Sequence, residues 1–189
     1  MKAMKVAVFG SIVLGLASCE QNKGTEGQDE AVPITTVETS ENTQQDVPAD
    51  YAYIVKIGDK AATFTAEIAK GGQITPANLS GKVVMLQFTA SWCGVCRKEL
   101  PHIERDIWQK YKDHEDFVLL GIDKDEDRET VVKFQQDMKV NYPMLLDPGS
   151  NIFSLFAEKN AGVTRNVIID RDGKIVFMTR LFKEERRGV

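Results

Sequence analysis

Only three cysteines and two histidines occur among the 189 residues. That shortage excludes a disulfide-stapled miniprotein. It also starves a zinc site, which wants four protein ligands in a structural centre or three plus water in a catalytic one. Excess positive charge is lacking too: 24 Lys and Arg stand against 28 Asp and Glu, for a net charge of −4. With no sustained basic stripe carrying interleaved aromatics, a nucleic-acid partner is not expected. The apolar run VAVFGSIVLGLA has 12 residues, short of the ~20 that a membrane-spanning helix needs. Internal repeats are absent. What remains, 42% hydrophobic and 28% charged, suits one soluble globular domain with appendages.

The appendages come first. Lys2 and Lys5 precede that short apolar run, and Ser18 and Cys19 follow it. A basic start, a short apolar core and small residues before a cut make a secretory signal over residues 1–18. Its end, Leu16-Ala17-Ser18-Cys19, resembles the lipobox of bacterial lipoproteins. The resemblance implies cleavage before Cys19, lipid on its sulfur and attachment to a membrane of the cell envelope. An ordinary signal peptide with a chance cysteine is the alternative, and either way the chain is exported. Residues 20–50 carry eight acids against the single base Lys23 and have no aromatics. Such a segment buries too little apolar surface to offset its ordering entropy, so 19–50 is expected to be a flexible acidic tether.

The domain is expected over 51–189. VVMLQF (83–88) and FVLLGID (117–123) read as buried strands, and Leu100, Ile103, Ile107 and Tyr111 between them recur at helical spacing. A second helix is predicted over 128–139, with Asp127 as its N-cap. YPMLLD (142–147) suggests a short strand and SNIFSLFAEK (150–159) a short helix. NVIIDRDGKIVFMTR (166–180) is a hairpin turning at Asp172-Gly173. This order predicts an α/β fold with a mixed sheet and helices on both faces.

Cys93 and Cys96, separated by Gly94 and Val95, are the pair left once Cys19 is set aside. A two-residue gap at a helix start puts two sulfurs within disulfide reach. It also leaves the first at the helix N-terminus, where the dipole and free backbone N–H groups favour a thiolate. Cys93 is therefore the expected attacking thiol, and Cys96, one turn on, the resolving thiol. Zinc lacks ligands, since His102 and His114 stand at no familiar spacing from the pair. A purely structural bridge over so small a loop would constrain little chain entropy.

FTASWCGVCRKELP, preceded by GKVVMLQ and followed by IERDIWQKY, resembles the thioredoxin superfamily, in its TlpA/ResA-like extracytoplasmic branch. The likeness runs over about 53–182, through VKIGDKAATFT, LLGIDKDED, YPMLLDPGSNIFSLFA and VIIDRDGKIVF. It implies a thioredoxin-like fold with that branch's insertion over about 124–157. It also implies reversible exchange with protein partners through a redox-active Cys93–Cys96 disulfide, with no cofactor and no metal. Partners so implied are envelope proteins with thiols or disulfides, such as apocytochromes, and a membrane or periplasmic reductant. Trp92 would shield the disulfide and Pro101 would kink the active-site helix.

Three positions depart from the pattern. Gln87 stands where thioredoxins proper place a buried acid, so water or another acid must take the proton of Cys96. Glu99 is a weak candidate for this, expected to be a solvated helix residue. Thr164, six residues before Asp170, occupies the place of the family's cis-proline, and an X–Thr bond is not expected to be cis, at a cost of ~2.5–4 kcal/mol. Relatives add a helix after the hairpin, whereas this chain ends in KEERRGV.

Two other functions share the fold. A peroxiredoxin-type peroxidase would need proline at 86 and Thr or Ser at 90, where the sequence has Leu86 and Ala90. A non-catalytic binding lipoprotein would be suggested by Gln87 and Thr164 but not by an intact CxxC. Asp123, Asp125 and Asp127 alternate as in a calcium loop, but Arg128 replaces the turn glycine, so a solvated acidic loop is expected. Arg165 and Asn166 read as the polar start of a strand, and His102 and His114 as surface residues of the first helix.

Overall fold

The computed structural model describes residues 51–183. The leader, Cys19, the tether and the chain's last six residues lie outside these.

The centre is a five-stranded sheet in the order β5-β4-β3-β6-β7. Its strands are β3 (Val83–Thr89), β4 (Phe117–Lys124), β5 (Met144–Asp147), β6 (Arg165–Ile169) and β7 (Ile175–Arg180). β3, β4 and β5 run parallel, while β6 is antiparallel to β3 and to β7. The sheet is thus mixed, as the alternation of patterns predicted. A two-stranded ribbon, β1 (Ala66–Glu67) with β2 (Gln73–Ile74), precedes it together with the short helix α1 (Pro76–Leu79).

Parallel neighbours need a crossover, and helices supply it. Helix α2 (Gly94–Ile103) continues through a π-helical stretch (Glu104–Trp108) into α3 (Gln109–Tyr111), joining β3 to β4. Pro101 lies inside α2 and has no N–H to donate, which disrupts the ladder at that turn. Helix α4 (Arg128–Asp137) joins β4 to β5. Asp127 caps it, its carboxylate accepting the Thr130 N–H at 2.8 Å. Side chains alternate across a strand, so Phe88 faces Phe153 and Phe156 while Gln87 faces Tyr142 on the other side. Helices α2 and α4 share that second side, where the Arg97 guanidinium lies 5.1 Å from the Phe134 ring centre.

The segment 150–159 departs from its helical prediction. It forms only 3₁₀ turns at Pro148–Ser150 and Phe153–Leu155. Gly149 (φ 72°) and Ser150 (φ 58°) are left-handed, and the Asp147 carboxylate takes the N–H groups of Ile152 (2.7 Å) and Phe153 (2.9 Å). A helix start is therefore replaced by a carboxylate-bound turn. His114 also lies in a turn just beyond the helical run, and His102 is only part-exposed, stacked on Phe182 at 4.9 Å.

Candidate functional site

The carboxyl end of β3 delivers the chain to Cys93, and the antiparallel register sets Phe88 opposite Arg165. The residue before β6, Thr164, is thereby brought up to the residues after β3. This topology makes neighbours of side chains 71 positions apart.

Cys93 and Cys96 form a disulfide with their Cα atoms 5.3 Å apart. Cys93 is the N-cap of α2, and its sulfur accepts the Cys96 N–H at 3.2 Å. It is 8% exposed, whereas Cys96 is fully buried. Gly94 is exposed and Val95 intermediate between them. Trp92 is 67% exposed, so most of its ring stands in solvent beside the disulfide.

The loop ahead of Trp92 is held from two sides. Ser91 donates its N–H and its hydroxyl to Glu126, each at 2.5 Å. Its carbonyl accepts Arg97 Nε at 2.7 Å. Beneath lies Asp123, fully buried, with neither carboxylate oxygen meeting an N–H or hydroxyl donor. Its pKa is pushed up to about 9, first by burial and then by the Glu126 and Asp147 carboxylates. A proton on Asp123 lets it hydrogen bond to Glu126, which a second carboxylate could not do. The expectation of a solvated acidic loop is therefore corrected at Asp123: the strand carries it into the interior.

Glu99 requires a larger correction. It is buried, 5% exposed, one turn beyond Cys96 on α2. Asn166 Nδ2 donates to its Oε1 at 2.8 Å and to Thr179 Oγ1 at 3.0 Å. Burial raises the Glu99 pKa above the ordinary carboxylate value, against the lowering effect of the Asn166 and Gln87 amides. Gln87 is close enough to be felt but forms no adequate hydrogen bond there, since Gln87 Nε2 and Glu99 Oε2 both lack partners. The amide's oxygen instead accepts the Tyr142 hydroxyl at 3.3 Å. An ionisable acid thus sits one turn from Cys96 after all, supplied by the helix instead of the strand.

Thr164 is 2% exposed, with its hydroxyl 3.1 Å from both sulfurs. No peptide bond among the described residues is cis. Arg165 follows it as the first residue of β6, a polar strand start that is nonetheless fully buried. Its guanidinium donates to the carbonyls of Tyr51 and Gly162, at 2.9–3.0 Å, and lies over the Tyr53 and Phe153 rings. Gly162 also lets the Arg180 guanidinium approach, since a Cβ there would displace it. Asn166, next in that strand start, is buried and pairs with Glu99.

No group of three or more metal-ligating side chains is found among the described residues. A cavity of about 480 Å³ lies at the opposite end of β3, around Lys60, Phe64, Val84 and Ile169, away from the disulfide. What the cysteine end can do is dithiol chemistry: one cysteine caps a helix N-terminus with slight exposure, and a second, fully buried, lies one turn from an acid on the same helix.

Residues 57–178 match the AhpC/TSA family. A thiol–disulfide oxidoreductase ResA of Bacillus cereus is 30% identical over 122 residues, 65% of this chain and 68% of that protein. ResA of Bacillus subtilis is 27% identical over 119 residues, 63% of this chain and 64% of that protein. Among solved structures, a candidate protein disulfide isomerase from Bacteroides thetaiotaomicron is 58% identical. The match covers 71% of this chain and 85% of that one, with a TM-score of 0.69. A candidate thiol:disulfide interchange protein, DsbE, from Chlorobium tepidum is 27% identical, covering 71% and 92%, with a TM-score of 0.62.

Proposed function

The chain belongs to the AhpC/TSA family and is a thiol–disulfide oxidoreductase, and on that premise we propose that it reduces disulfides of protein partners outside the cytoplasm. The observation that carries this reading is the asymmetry of the pair. Cys93 keeps a small exposure of 8% and stands at the α2 N-terminus, where a thiolate is favoured. Cys96 is fully buried, out of reach of a folded partner.

In the reduced protein the Cys93 thiolate attacks one sulfur of the partner disulfide. A Cys93–partner bond forms, and the other partner sulfur leaves as a thiolate. Cys96 then gives its proton to Glu99, one turn away, and attacks Cys93 Sγ. The Cys93–Cys96 bond forms, the partner's second sulfur leaves, and two electrons have passed to the partner. A second dithiol, from a membrane or periplasmic reductant, must reopen the disulfide. Glu99 suits the proton step because its raised pKa brings it nearer to neutrality.

Lipid on Cys19 would tether the domain to a membrane of the envelope, with residues 20–50 as the leash. No helix among the described residues is long and apolar enough to cross a membrane. Apocytochromes are the partner class that the ResA likeness suggests. The test is trapping: Cys96→Ser, reduced and offered a disulfide-bonded envelope protein, is expected to accumulate a mixed disulfide through Cys93 that dithiothreitol releases. No adduct with Cys96→Ser, or equal adduct with Cys93→Ser, would overturn the reading.

A further inference from the structure

The hydroxyl of Thr164 lies 3.1 Å from each sulfur, and those two contacts are its only side-chain hydrogen-bonding contacts among the described residues. Its place is fixed from behind: the Thr164 carbonyl accepts the Leu181 N–H at 3.2 Å and Arg180 Nη1 at 3.3 Å. Arg165, next in the chain, is anchored by its carbonyl contacts and stacked rings. The hydroxyl can therefore rotate but not leave.

The two sulfurs have unequal support without it. Cys93 Sγ already accepts the Cys96 N–H, and its residue keeps a slight exposure of 8%. Cys96 Sγ is fully buried, and Thr164 is its one hydrogen-bonding neighbour among the described residues. A buried thiolate with no donor carries a heavy desolvation penalty. Yet the exchange proposed above places negative charge on each sulfur in turn, first on Cys93 and then on Cys96. A hydroxyl is a single donor whose hydrogen swings about its C–O bond, so one group can serve both.

Building on that exchange reading, we propose that the Thr164 hydroxyl is a rotating donor that follows the negative charge from Cys93 to Cys96. In the free dithiol it donates to the Cys93 thiolate while its oxygen accepts the Cys96 S–H. Once Cys93 is bonded to a partner sulfur its charge is gone. The hydroxyl then turns to Cys96 as that thiol loses its proton to Glu99. No electron passes through Thr164 and its own proton never leaves; it is a positioning residue. A proline at this place has no hydrogen to donate.

The test measures each thiol alone, by its thiolate ultraviolet absorbance against pH, in the Cys96→Ser and Cys93→Ser backgrounds. Thr164→Val, which keeps the shape and removes the donor, is expected to raise both thiol pKa values by about one unit, a tenfold loss in ionisation constant. Thr164→Ser is expected to leave both close to the parent. Glu99, Tyr53, Arg165 and Arg180, the charged or titratable groups around this loop, are the same in every variant, so the difference reports the hydroxyl. Should the Val variant not fold by circular dichroism, Thr164→Ala removes the same donor and must give the same pair of shifts. A rise at one sulfur only, or at neither, overturns the proposal, as does a Thr164→Ser variant that behaves like Thr164→Val. Neither measurement needs a partner protein, so failure here is distinct from failure of the trapping experiment.

Discussion

Along β3 the side chains change character halfway. Val84, Met85 and Leu86 meet Val118, Leu119 and Leu120 on one neighbour and Ile169, Ile168 and Val167 on the other, all apolar. Farther along, Gln87 meets Asn166 and Thr89 meets Asp123, and Glu99 comes down onto the same layer. Unpartnered buried polar atoms gather there, on Gln87, Thr89, Glu99, Asp123 and Asn166. The apolar end holds the sheet together. The polar end spends part of that stability to keep ionisable groups beside two sulfurs, as a site under functional demand does.

Substitutions at the two layers should therefore move different observables. Phe88 lies at the boundary, fully buried and packed edge-on against Phe153 at 5.5 Å. Phe88→Ala is expected to cost about 3–5 kcal/mol in denaturant unfolding. A loss under about 1 kcal/mol would mean that this packing does not carry the fold.

Glu99→Gln should do the reverse. Removing the acid proposed to take the Cys96 proton is expected to slow release of the mixed disulfide by about a hundredfold. Stability should hold or rise, since a buried ionisable group is removed. Stopped-flow exchange and urea unfolding of the same sample separate the two effects.

Asp123→Asn comes next. Asp123 has its pKa raised to about 9, so its contribution is fully present below its ordinary value near 3.8 and is lost as pH rises towards 9. The asparagine variant should unfold with a flatter pH dependence across that window and gain about 1 kcal/mol near neutrality. An unchanged slope would show that Asp123 is ionised in the folded protein.

Smallest of all, Lys133→Ala removes an exposed i,i+4 pair with Asp137 and should change stability by less than about 0.5 kcal/mol.

How much of this was legible depends on sequence distance. The dithiol, the strands, the hairpin and the Asp127 cap are set by residues within a few positions of one another, and each could be read directly. Glu99 could not be told from a solvated helix residue by type. Its spacing was the available signal: Cys96, Glu99, Leu100 and Ile103 form one buried stripe of α2. Arg165 gave less warning, because its burial rests on Tyr51 and Tyr53, more than 110 positions earlier. Asp123 was hidden by the reverse problem. Its alternation with Asp125 and Asp127 suggested a loop, while its place in β4 beside Thr89 determined its burial.

The central claim is that the polar end of the sheet maintains a reducing dithiol. Equilibration of the Cys93–Cys96 couple in glutathione or dithiothreitol redox buffers tests it most directly. A reduction potential near that of thioredoxin, about −270 mV, is the predicted result. A potential near about −120 mV would mark a strong oxidant and contradict it.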